Sequence, residues 1–153
     1  MRTPASIARH PIHPMLVPLP IGLWVFSLVC DLIFLFGSGV SLWYTLAFYT
    51  LIGGLIGAVL AAIPGFIDML SLTAAPKRLA LAHMTINLVV VVLYAVNLGM
   101  RINGAENNLI PVILSAVAIG LLLVSGWLGG HMVYVYRVAV DAADDKPAVT
   151  PPR

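Results

Sequence analysis

Residues 43–67, WYTLAFYTLIGGLIGAVLAAIPGFI, form an apolar stretch without a charged side chain, and the stretch is long enough to cross a lipid bilayer. A hydrocarbon core about 30 Å thick requires about 20 apolar residues in an α-helix. Three further stretches have the same character, at about residues 15–37, 79–100 and 109–136. Transmembrane β-strands would alternate polar and apolar residues, and these stretches do not alternate. The sequence therefore predicts an all-α fold, an integral membrane four-helix bundle with short loops.

The composition of the whole chain is that of a membrane protein. Hydrophobic residues make up 61% of it and charged residues only 9%, which is too little charge to cover a soluble domain. Residues 1–140 are predicted to form one domain, in which no internal repeat is evident. Residues 141–153, DAADDKPAVTPPR, are polar and proline-rich, and we expect them to form a disordered cytoplasmic tail.

Basic residues between the apolar stretches predict how the chain lies in the membrane. Short loops that carry Lys and Arg stay in the cytoplasm. The N-terminus, the second loop and the C-terminal segment carry Arg2, Arg9, Lys77, Arg78, Arg137 and Lys146. We therefore expect both termini in the cytoplasm and a multi-pass protein of the bacterial inner (plasma) membrane. The net charge of +2 includes no dense basic patch, so nucleic acid is not an expected partner.

Small residues recur on two of the predicted helices. The second helix carries Gly53, Gly57, Ala61 and Gly65 four residues apart, and the fourth carries Ser125, Gly126, Gly129 and Gly130. Such residues let neighbouring helices approach closely, and we interpret them as packing surfaces. The alternative is room for a flat cofactor such as haem against a glycine-rich face.

Two pairs of polar residues have equal spacing on helices one and three. The interval from His13 to Asp31 equals that from His83 to Arg101, and each spans about five helical turns, or about 27 Å. The two helices run in the same direction. If these sides face each other, His13 meets His83 at one end of the bundle and Asp31 meets Arg101 at the other. We interpret Asp31 and Arg101 as a structural polar pair that locks the two helices together.

Helix three also carries a polar stripe along the same side. Asn87, Tyr94 and Asn97 fall close to the face of His83 and Arg101. Polar groups in transmembrane helices commonly form hydrogen bonds between helices. We favour that role for the stripe over a conduction path.

Every histidine, together with Asp68, lies at the predicted cytoplasmic end of the bundle. Two imidazoles from different helices could be axial ligands of a b-type haem, from His13, His83 and His131. Alternatively, a divalent metal ion such as Zn²⁺ or Fe²⁺ could bind to His10, His13, Asp68 and His83. The lone Cys30 cannot form a thiolate site by itself. The competing interpretation is a set of interfacial histidines bonded to headgroups, water or carbonyls.

Four segments of the sequence resemble a known family. They are HPIHPMLVPLPIGLWVFSLVCDL at 10–32, GFIDML at 65–70, AHMTIN at 82–87 and SGWLGGHMVYVYRVAV at 125–140. Together they resemble the DUF2231 family of predicted bacterial membrane proteins over roughly residues 8–140. The resemblance points to His10, His13, Asp31, Asp68, His83 and Asn87 as pattern residues. Members often read VYxHG where this chain has Val135, Tyr136 and Arg137, so the resemblance fixes no ligand on the fourth helix.

The resemblance also bears on function. Similar domains occur beside Rieske-type and cytochrome-type modules, which implies a link to membrane redox chemistry. We therefore predict a haem- or metal-binding, redox-associated membrane protein, with lipid and other membrane or redox proteins as partners and self-association as a further expectation. The alternatives are a non-enzymatic accessory or structural subunit and, less favoured, a small transporter, because transporter sites usually lie near the membrane midplane. No nucleophile triad, phosphate loop or catalytic carboxylate pair is apparent, so hydrolase or kinase chemistry has no evident residues in this sequence, and whether the chain is an enzyme of another kind stays open.

Overall fold

The computed structural model describes residues 3–8, 10–104 and 108–140. In this part of the chain, four helices are long and apolar enough to cross a membrane: Ile12–Gly37, Ser41–Ser71, Ala74–Ile102 and Ile110–Tyr134. The protein is thus an all-α four-helix bundle. The predicted tail at 141–153 lies outside the described residues, as do Arg2 and Arg9.

The first span is preceded by a small hairpin and is interrupted by proline. Strands β1 (Ser6–Ile7) and β2 (His10–Pro11) pair antiparallel and lead directly into the short helix α1 (Ile12–Leu16). Helix α2 (Pro18–Ile33) follows after Val17. Proline lacks the backbone N–H that continues a helical ladder, which explains the break at this point. After α2, the π-helical turn Phe34–Ser38 ends at Gly39, whose φ of 63° is a conformation that favours glycine.

The remaining helices are α3 (Ser41–Ser71), α4 (Ala74–Ile102) and α5 (Ile110–Tyr134). Both α3 and α4 extend beyond the apolar stretches at 43–67 and 79–100, through Asp68 on α3 and through Lys77 and Arg78 on α4. An apolar stretch indicates only the part of a helix that crosses the hydrocarbon core of the membrane. The helix itself continues into the interface wherever its backbone hydrogen bonds continue. Helix α5 ends two residues before the predicted bound of 136. Hydrophobicity therefore located the helices but not their ends.

The helices pack in cyclic order, with α2 against α3 and α5, and α4 against α3 and α5. The centre of the bundle is an apolar cluster of Trp24, Leu51, Val90, Tyr94, Ala118 and Leu122. The rings of Trp24 and Tyr94 stack with their centroids 4.2 Å apart and an interplanar angle of 9°. Gly54 makes this stack possible, because a Cβ there would collide with the Trp24 indole. Large apolar side chains such as Phe36, Leu123 and Trp127 point outward, as contact with lipid requires.

Candidate functional site

We call the end of the bundle that contains His13 and His83 the histidine end, and the end that contains Asp31 and Arg101 the ion-pair end. His13 lies on α1, and its Nδ1 is 2.8 Å from the carbonyl oxygen of Ala61 on α3. A carbonyl oxygen only accepts, so Nδ1 carries the proton and donates. The ring rests on Gly65, where a Cβ would lie 2.7 Å from Nδ1. Gly65 therefore leaves the space that the His13 ring occupies, and we call the glycine that lies against each histidine ring its seat.

His83 on α4 is held in the same manner by α5. Its Nδ1 lies 2.9 Å from the carbonyl oxygen of Ser125, and 2.9 Å from the Ser125 hydroxyl. The ring faces Gly129, where a Cβ would lie 3.5 Å from Cε1. Asn87 donates to the Ser125 hydroxyl over 2.7 Å and to the His83 carbonyl over 2.9 Å. Hydrogen bonds between α4 and α5 thus fix the His83 ring.

The two imidazoles come together across the bundle, with their ring centroids 6.2 Å apart and their planes at 89°. Because each Nδ1 donates to a carbonyl, each neutral ring keeps its lone pair on Nε2. This is the arrangement in which metal-binding histidines are usually held. An ion bound at about 2.0 Å to one nitrogen of each ring lies about 3 Å from each ring centre. Ring centres about 6 Å apart can therefore share one ion.

The other residues predicted at this end are held elsewhere. The Asp68 carboxylate accepts a hydrogen bond of 2.8 Å from the backbone N–H of Ala5 and so anchors the N-terminal segment. His10 is exposed, with its Nδ1 2.8 Å from the carbonyl oxygen of Ala8 in its own turn. The His131 ring packs on Tyr136 with centroids 5.6 Å apart. Among the described residues, no group of three or more His, Cys, Asp or Glu side chains is placed to hold a metal ion. Of the predicted ligands, the structure thus brings together His13 and His83.

The ion-pair end contains a bidentate salt bridge. Arg101 donates from Nη1 and Nη2 to the two carboxylate oxygens of Asp31, over 2.9 and 2.6 Å. Its Nε donates to the Asn97 side-chain oxygen over 2.7 Å, and its guanidinium lies 5.3 Å from the ring centroid of Tyr44. Both charged residues are almost fully buried. Paired geometry of this kind is strong, and it ties α2 to α4.

The polar stripe of α4 is divided in the structure. Asn97 donates to the Pro111 carbonyl over 2.6 Å and to the Ser115 hydroxyl over 2.9 Å, so it belongs to the ion-pair end. Asn87 belongs to the histidine end. Between them, Tyr94 lies in the apolar cluster with Val90 and Trp24. Each asparagine therefore joins α4 to α5, and an apolar layer separates the two polar groups.

A scan of protein-family models matches residues 9–142 to a family described as a predicted membrane protein, DUF2231. The match covers most of the chain. The chain belongs to the DUF2231 family. A search of curated proteins and a search of solved structures gave no match.

For this DUF2231 protein, the family description agrees with the four candidate spans in supporting a multi-pass membrane location in contact with lipid. The bacterial inner membrane, the cytoplasmic termini, association with other proteins and self-association stay predictions.

The sequence did not single out the seats of the histidines. Gly65 and Gly129 belong to runs of small residues that were interpreted as packing surfaces, and the Ala61 and Ser125 carbonyls leave no mark in a sequence. The sequence nevertheless contains a spacing that could have located these two glycines. In both runs, a glycine follows four residues after the small residue whose carbonyl accepts the histidine bond.

Proposed function

We propose that this DUF2231 protein binds a transition-metal ion, either alone or as the iron of a b-type haem, between His13 and His83 at the cytoplasmic end of the bundle. The supporting observation is the matched pair of imidazoles, 6.2 Å apart, with each Nδ1 bonded to a backbone carbonyl. Neutral imidazole suits zinc, copper and iron, and His13 and His83 would be the residues that hold an ion or a haem iron here.

The residues around the pair keep the two rings in place. Gly65 lets the His13 ring lie against the backbone of α3, and the Ala61 and Ser125 carbonyls select the tautomer of each ring. Ligands held in this way need little rearrangement when a metal binds or changes its charge. A bound redox metal would supply one-electron chemistry, which is consistent with a redox-associated role in the membrane.

The cytoplasmic placement of the site is supported by the charge near it. Lys77 and Arg78 lie near the start of α4, within two turns of His83. Basic residues at the ends of transmembrane helices favour the cytoplasmic side. On this basis, an electron or metal partner would approach from the cytoplasm.

The test is to purify the full chain in mild detergent, record oxidised and reduced visible spectra, and measure iron, copper and zinc in the same sample. A Soret band with reduced α and β bands assigns haem, whereas a colourless sample with about one metal per chain assigns an ion. Either signal is expected to weaken in His13→Ala and in His83→Ala, because each substitution removes one of the two ligands. Loss in His131→Ala with retention in His13→Ala would contradict the assignment, and so would failure to bind added haem, copper, iron or zinc.

The accessory-subunit and transporter hypotheses stay predictions. The apolar layer of Trp24, Val90 and Tyr94 between the two polar groups favours the first over the second. A solute path would require polar groups through this layer.

A further inference from the structure

When helices α2 and α4 are aligned at an interval of 70 residues, the interval from Asp31 to Arg101, four of the five buried residues of each helix coincide. The matched buried pairs are Pro20 with Val90, Trp24 with Tyr94, Ser27 with Asn97 and Asp31 with Arg101. His13 and His83 have the same spacing. The two helices thus present the same face to the core.

Helices α3 and α5 match in the same way at a second constant interval. Their matched buried pairs are Ala47 with Pro111, Leu51 with Ser115, Gly54 with Ala118 and Ala61 with Ser125. The seats of the histidines, Gly65 and Gly129, have this interval too. Four buried positions therefore coincide in this second helix pair as well.

Hydrogen bonds between the helices repeat with the same correspondence. Ser27 donates to the Ala47 carbonyl over 2.8 Å, and its equivalent Asn97 donates to the equivalent carbonyl, that of Pro111, over 2.6 Å. The hydrogen bond from His13 to the Ala61 carbonyl corresponds in the same way to the hydrogen bond from His83 to the Ser125 carbonyl. Equivalent hydrogen bonds between helices therefore occur in both halves, even where the donors differ, as Ser27 and Asn97 do.

Equivalent residues also contact one another across the bundle. His13 faces His83, Trp24 stacks on Tyr94, and Asp31 pairs with Arg101. Residues that meet their own equivalents lie on a two-fold axis, as in an isologous dimer. Because these contacts occur at three heights, the axis runs along the bundle, which is the relation expected of parallel repeats in a membrane.

We infer that the chain consists of two copies of one helical hairpin, β1 to α3 and α4 to α5, related by a pseudo-two-fold axis that passes through the His13–His83 pair. The hairpins are complementary rather than identical. Trp24 packs on Gly54, whereas the smaller Tyr94 lies in the same apolar cluster as Ala118, the residue equivalent to Gly54. Opposite charges stand at the equivalent positions 31 and 101.

The complementary charges determine which hairpins pair. Two first hairpins from different copies would place two aspartates opposite each other in a buried position, and two second hairpins would place two arginines there. Buried like charges are strongly unfavourable. Asp31 and Arg101 are therefore specificity-determining residues that restrict pairing to one hairpin of each kind.

The inference can be tested in the full chain by exchanging equivalent residues, with no bound ligand needed. The variant W24Y/Y94W places an indole over Ala118, which should collide as a Cβ at Gly54 would collide with Trp24. The variant W24Y/G54A/Y94W/A118G exchanges the two aromatic residues and also exchanges the two small residues, Gly54 and Ala118.

We expect the fourfold exchange to elute as a single species in detergent with Tm within about 5 °C of the parent, and the twofold exchange to lose at least about twice that. A fourfold exchange no more stable than the twofold exchange would overturn the inference. Because the measurement is stability without ligand, its outcome is independent of metal or haem binding.

Discussion

Gly65, which lies against His13, is the glycine on which the geometry of the histidine pair depends. At Gly65 an added Cβ would lie 2.7 Å from the His13 ring, too close for any real contact, and at Gly129 it would lie 3.5 Å from His83. The sequence identified both histidines, and their equal spacing to Asp31 and Arg101 indicated that they would meet if those sides of the two helices faced each other. It could not identify the seats, since the space around a glycine depends on neighbours far away in the chain.

Gly65→Ala should therefore displace His13 and break its bond to the Ala61 carbonyl. Overpacking of this kind costs about 1–3 kcal/mol, and we expect a matching fall in thermal stability together with weaker metal or haem binding. Gly129→Ala is the matched control, because its Cβ makes an ordinary contact. Equal losses in the two variants, measured by thermal unfolding in detergent, would contradict the role of Gly65.

Gly54 is the corresponding residue in the apolar core. A Cβ there would collide with the Trp24 indole, so Gly54→Ala should destabilise the bundle by about 1–3 kcal/mol. Gly22→Ala, also in a helix, meets nothing within 4 Å and should leave stability unchanged or slightly raised. Chemical unfolding of both variants checks the difference. A Gly54→Ala protein as stable as Gly22→Ala would show that the stack tolerates a methyl group.

At the scale of the helices, the long apolar stretches predicted which segments cross the membrane. Polar side chains determine how these helices are joined. The sequence predicted that Asn87 and Asn97 would bond between helices, and in the structure both bond to α5. It did not predict the ends of α3 and α4, because the interfacial turns carry Asp68, Lys77 and Arg78, which look like loop residues.

The salt bridge between α2 and α4 gives a prediction at this scale. Removing one partner leaves a buried charge alone, so Asp31→Leu and Arg101→Met should each cost about 3–5 kcal/mol. The double variant should be more stable than either single variant, because both buried charges are then absent. A double-mutant cycle of unfolding measures this coupling. Additive losses would mean that the two side chains stabilise the helices independently.

For the whole molecule, the structure places the α3–α4 loop at the histidine end and the α4–α5 loop at the ion-pair end. The sequence predicts that the histidine end faces the cytoplasm. In a Cys30→Ala background, a cysteine at Thr73 should react with a membrane-impermeant maleimide only when the cytoplasmic face is exposed, in inverted vesicles. A cysteine at Asn108 should react only from the other side. The reverse pattern would place both termini outside.

The internal repeat is the feature of the whole molecule that was not evident from the sequence. Equivalent positions hold Trp and Tyr, Ser and Asn, or Asp and Arg, so residue identity is lost while burial and bonding are kept. The histidines and the glycines beside them are among the few residues that remain identical in both halves. Repetition of contacts, rather than of residues, is therefore the evidence for the repeat.

The proposal that one metal is shared by His13 and His83 is best tested by X-ray absorption at the edge of the bound metal, on the full chain loaded with haem or with the ion that it retains. The spectrum of the parent should contain scattering from two imidazoles at about 2.0 Å. One imidazole should be lost in His13→Ala and one in His83→Ala. A metal without imidazole ligands, or a spectrum that neither substitution changes, would contradict the proposed site.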